Sequence, residues 1–69
     1  MTKQEVINEL KKKITKCEAI ADAKFKAADD AWEASNRDSY TFCCNAGNMY
    51  LKTARAYKDA LKMVKNIKA

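Results

Sequence analysis

Residues 35–39 read Ser35-Asn36-Arg37-Asp38-Ser39, a polar cluster that contains no periodic apolar residue and separates two long stretches that do. Before it, Ile7, Leu10, Ile14, Cys17, Ala21, Phe25, Ala28 and Trp32 fall on one stripe when residues are placed at helical intervals. Thr2 with Glu5 three residues later forms a capping box at the start of that stripe. After the cluster, Cys43, Gly47, Tyr50, Ala54, Tyr57, Leu61 and Val64 recur at four-three spacing, with Asp38 or Ser39 available as a cap. The spacing predicts an all-α chain: helix 1 over about 3–34, a turn at about 35–38 and helix 2 over about 39–67, within a single domain spanning 1–69.

A connection this short forces the arms antiparallel. Trp32 is then expected near Tyr40 to Cys43, Phe25 near Gly47 to Tyr50, and Ile14 near Leu61. Gly47 opposite Phe25 makes room for a ring. The residues Asn45-Ala46-Gly47-Asn48 are poor helix formers, so a break near Gly47, giving three helices, is the alternative. The apolar phase runs through them unchanged, which favours one continuous second helix.

Composition narrows the function classes. At 69 residues with 3 Cys, 1 Gly, no Pro and no His, the chain is one small domain that cannot bury a large core. An odd cysteine count with Cys43 and Cys44 adjacent is not a secreted disulfide framework, and no basic-then-apolar leader opens the chain. The uncharged run from Ser39 to Leu51 is too short to span a bilayer. Cytoplasmic placement, in the producing cell or in a host if the chain is phage-encoded, is the expectation.

Catalytic and metal chemistry find little footing. Zinc needs four ligands in Cys/His spacing, which adjacent cysteines without histidine do not supply. Cys17 is expected far along the arms from the Cys43-Cys44 pair, which argues against an internal disulfide. Asp29, Asp30 and Glu33 are scattered around helix 1 and do not converge as an acid–base pair. No catalytic residue, metal ligand or cofactor is assigned, and an enzyme is not expected.

Two helices cover only one face of each other, and this chain has more than one apolar face. Beside its main stripe, helix 1 carries Ile20, Ala23, Ala27, Ala31 and Ala34, a ridge that admits close approach of another helix. On helix 2, Tyr40, Cys44 and Leu51 flank the stripe on one side, and Phe42, Ala46 and Met49 on the other. Exposed apolar residues in this number mark an interaction surface. Ala23, Ala27, Ala31, Trp32, Tyr40, Phe42, Cys44, Met49 and Leu51 are therefore the candidate protein-interaction residues. The expected role is a non-enzymatic module that oligomerises into a helical bundle and binds another macromolecule, as a small bacterial or phage-encoded adaptor, inhibitor or regulator would. Its partners would be copies of itself, a protein, or both.

The formal charge of +5 supports an alternative. Lys12, Lys13 and Lys16 on one arm and Arg55, Lys58, Lys62 and Lys65 on the other share the open end of the hairpin, where they could neutralise nucleic-acid phosphates. Only two Arg are present, so base readout has little to work with. A third reading places a small anionic ligand, such as a nucleotide, between neighbouring copies, held by Tyr50 or Tyr57 with Arg55 and Lys58.

Overall fold

The computed structural model describes residues 1–67 and is a hairpin of two helices, α1 (Lys3–Glu33) and α2 (Arg37–Lys65), within a rod of 54 × 14 × 13 Å. α1 starts as the sequence implies: the Thr2 side chain accepts from the Glu5 amide at 3.1 Å. Its end is set by Ser35, whose φ of 58° lies in the left-handed region. That conformation lets the Ser35 amide donate to the Trp32 carbonyl at 3.0 Å and the Asn36 amide to the Ala31 carbonyl at 2.9 Å. Together they form the paired closing bonds of a Schellman motif.

The turn is tighter than the sequence suggests. Asn36, not Asp38 or Ser39, caps α2, its side-chain oxygen accepting from the Ser39 amide at 3.1 Å. Asn36 thus closes one helix with its backbone and opens the next with its side chain. This removes the need for the polar residues that follow, so Arg37 and Asp38 join α2. The helix continues through Gly47 to Lys65. Among the described residues, no helix is long and apolar enough to cross a membrane.

The buried positions of α1 are Ile7, Ile14, Ala21 and Ala28, a strict seven-residue repeat, and Gly47 and Ala54 repeat it on α2. Cys43, Tyr50, Tyr57, Leu61 and Val64 fill in at half-buried positions between and beyond them. A seven-residue repeat is the signature of two helices wound around each other at 3.5 residues per turn. This corrects the expectation for Trp32. Counting at 3.6 residues per turn drifts around the helix and puts Trp32 on the core stripe, but in the pair Ala31 is half-buried and Trp32 is 65% exposed.

Register between the arms is fixed by contacts along the whole rod. The rings of Trp32 and Tyr40 lie 5.1 Å apart, and the Phe25 ring packs on Gly47. Lys58 bonds Glu18 at 3.3 Å, and Lys3 Nζ donates to the carbonyls of Lys65 and Ile67 at 3.4 and 2.6 Å. The middle of the seam is built from Ala21, Ala28, Gly47 and Ala54, so no large side chain is fully buried among the described residues. Small residues bring the helix axes close but remove little apolar surface from water.

Candidate interaction surface

Phe42, Met49 and Met63 are 68%, 57% and 72% exposed, and they lie seven residues apart except for one intervening position, Ala56. Half-buried Ala46, Thr53 and Ala60 interleave with them. The sequence Phe42, Ala46, Met49, Thr53, Ala56, Ala60, Met63 is therefore a second four-three seam on α2, offset around the helix from the seam that meets α1. It runs some 30 Å at 1.5 Å rise per residue and contains no charge. Thr53 fits this apolar character because its hydroxyl donates to the Met49 carbonyl at 3.0 Å, leaving its methyl to the surface. Exposed Ile67 continues the spacing just beyond the helix.

Phe42 and Met49 are candidate residues from the sequence, whereas Thr53, Ala56, Ala60 and Met63 are not. The signal was present: extending the four-three count past Met49 reaches them. The charged residues Arg55, Lys58 and Lys62 interrupt that half of the helix and give it an amphipathic appearance, which hides the seam between them.

The other edge of the hairpin is marked by the Glu18–Lys58 pair. Toward the turn this edge becomes apolar, with Phe25, exposed Trp32, half-buried Tyr40 and Cys44, and Leu51 at 36% exposure. Hydrogen bonding to the Cys44 side chain pushes the Tyr40 phenol above its ordinary pKa, with loss of solvation and the nearby Asp29 carboxylate adding to the effect. A depression lined by Trp32, Ser35, Asn36 and Arg37 closes this edge at the turn. On α1, Ala23 and Ala27 are exposed and Ala31 is half-buried.

The structure thus divides six of the nine candidate interaction residues between two edges, with Ala23, Ala27 and Ala31 on α1 apart from this division. Phe42 and Met49 belong to the outer seam of α2. Trp32, Tyr40, Cys44 and Leu51 share the edge that carries Glu18 and Lys58.

All seven basic candidates are exposed. Lys11, Lys12, Thr15 and Lys16 line one depression, and Lys58, Leu61, Lys62 and Lys65 line another. Lys12 approaches Glu9 at 3.7 Å, and Lys13 sits 5.8 Å from the centre of the Tyr57 ring. Tyr57 meets Lys13 whereas Lys58 meets Glu18, so within one chain the members suggested for an anionic-ligand site do not gather around a common centre. The three cysteines are free and half-buried, and no cluster of potential metal ligands occurs among the described residues.

No family model, curated protein or solved structure matches the chain.

Proposed function

We propose that this chain is a non-enzymatic interaction module, a helical hairpin that self-associates and presents an apolar edge to another macromolecule, in the manner of a small adaptor or inhibitor. The observation that carries this reading is the outward placement of Trp32, Phe42, Met49 and Met63 on a hairpin whose own core is mostly alanine and glycine. Leaving such side chains in water forgoes roughly 1.5–3 kcal/mol for each that a partner would fully bury. In a small domain that is a large share of the total stability.

The two edges suit two roles. The long, uncharged seam of α2 matches a helix of equal length, whereas the Trp32, Tyr40 and Leu51 edge is shorter, aromatic and bordered by charge, the composition of a hot spot for a different partner. Affinity capture from the producing cell, with the unmodified chain and with Trp32→Glu side by side, tests this. A protein retained by the first and lost from the second supports the reading. If nothing retained by the unmodified chain depends on Trp32, the reading fails.

Nucleic-acid binding is the second reading, supported by charge placement. Residues 1–21 and 52–69 hold eleven cationic and four acidic residues, and residues 22–51 hold three cationic and five acidic. A titration with duplex DNA and single-stranded RNA at low salt should show affinity that falls steeply as salt rises. Lys58→Glu/Lys62→Glu should abolish it, and absence of binding at low salt removes the reading.

A further inference from the structure

We propose that the outer seam of α2 is occupied by a second copy of this chain lying antiparallel, with Ala46 opposite Met63 of the second copy, Met49 opposite Ala60, and Thr53 opposite Ala56. The proposal rests on the reading of that seam as a docking surface and names its occupant.

The seam is complementary to itself in one orientation. Its two methionines, Met49 and Met63, and its alanines Ala46 and Ala60 are placed so that reversing the helix sets each methionine against an alanine, while Phe42 at the seam's end meets Ile67 just beyond the helix of the second copy. Alternating large and small residues across facing positions is what lets side chains interdigitate. Parallel pairing instead opposes each residue to itself, Met against Met and Ala against Ala, which crowds some layers and empties others. A two-fold contact of this kind is closed, since each copy uses the same patch, and it yields a dimer without open growth.

Charge selects both the direction and the register. The hairpin is basic at its open end and acidic toward its turn. Antiparallel copies bring each basic end beside the other's acidic end, whereas parallel copies set like ends together. At the seam's solvent border lie Asn45, Lys52, Asp59 and Asn66. In the proposed register Lys52 of each copy meets Asp59 of the other, and the symmetry makes this contact twice. Sliding the copies by one heptad toward the turns sets Lys52 against Lys52 and leaves Met63 facing Ser39. Asp59 has no ion-pair partner within the chain among the described residues. The second copy supplies one.

The test begins with sedimentation equilibrium on the unmodified chain, which should show a dimer at micromolar concentration. Met49→Glu, which sets a carboxylate in the apolar seam of each copy, should weaken dimerisation about a hundredfold. Lys52→Asp or Asp59→Lys alone should weaken it about tenfold, and the double swap Lys52→Asp/Asp59→Lys should restore it. Trp32→Glu, off the seam, should leave the dimer constant unchanged, so loss of a captured partner and loss of the dimer are separate results.

Direction is read by oxidative cross-linking in a background with Cys17→Ala, Cys43→Ala and Cys44→Ser. A mixture of Ala46→Cys and Met63→Cys chains should form the mixed disulfide. Should that background fail to fold, the charge swap in the native chain decides the register. A monomer at all concentrations, a dimer indifferent to Met49→Glu, a swap that does not restore association, or disulfides joining like positions would each overturn the proposal.

Discussion

Ser35 and Asn36 carry the turn between them, and each does so at a different cost. Ser35 holds a left-handed backbone that disfavours any residue with a Cβ, and no side-chain bond from it compensates among the described residues. Ser35→Gly should therefore raise stability by about 0.5–1 kcal/mol, the relief of strain exceeding the added freedom of the unfolded chain. Asn36→Ala removes the acceptor for the Ser39 amide and should cost about 1 kcal/mol. Thermal denaturation of the two variants should show shifts of opposite sign; equal signs would contradict the cap geometry.

Gly47 sets a sharper condition, because a Cβ built there meets Phe25 Cζ at 2.9 Å. Alanine gains about 1 kcal/mol of helix propensity over glycine but must displace the ring. Gly47→Ala should be close to neutral in the unmodified chain and stabilising by about 1 kcal/mol when Phe25→Leu has shortened the opposing side chain. A double-mutant cycle measured by urea unfolding checks this, and additivity of the two changes would show that the ring yields freely.

At the level of the helices, periodicity made most of the architecture legible. The α2 stripe from Cys43 to Val64 was readable because it holds four-three spacing without drift, and the Phe25–Gly47 and Trp32–Tyr40 contacts followed from an antiparallel register. Two features were less visible. The exposure of Trp32 depends on the winding of the helix pair, which shifts the buried face by about half a residue over the six turns from Leu10 and so favours Ala31 over Trp32, and only the partner helix imposes that winding. The start of α2 depends on Asn36 serving both helices, and a polar cluster containing several good caps does not say which one acts.

Lys3 was likewise unreadable as a helix cap, since the carbonyls it meets belong to the far end of the other helix. A cation at a helix C-terminus is worth about 0.3–1 kcal/mol, so Lys3→Ala should lower stability by that amount, with the loss shrinking at high salt. A salt-independent loss would assign the effect to packing instead.

At the scale of the whole molecule, the uneven charge along the rod has a consequence for the isolated hairpin. Lys11, Lys12, Lys13 and Lys16 on α1 run beside Lys58, Lys62 and Lys65 on α2, and the described ion pairs that offset them are Lys12–Glu9 and Lys58–Glu18. Both pairs are exposed, so their attraction is weak and equally screened by salt. The excess of like charge at one end pushes the arms apart, and screening relieves it over distances beyond about 10 Å at 0.1 M.

Raising salt should therefore stabilise the monomeric hairpin, most clearly in the Met49→Glu variant, where association does not confuse the measurement. For a domain of this size a gain of about 0.5 kcal/mol corresponds to roughly 2–4 °C in Tm. Calorimetry of Met49→Glu at low and at 0.5 M sodium chloride should show a rise of about that size. Replacing Lys12 and Lys62 by glutamate should abolish the rise, because the added acids pair with the lysines that remain. If Tm falls as salt is added to Met49→Glu, attraction rather than repulsion governs the open end, and the lysines there contribute to holding the hairpin closed.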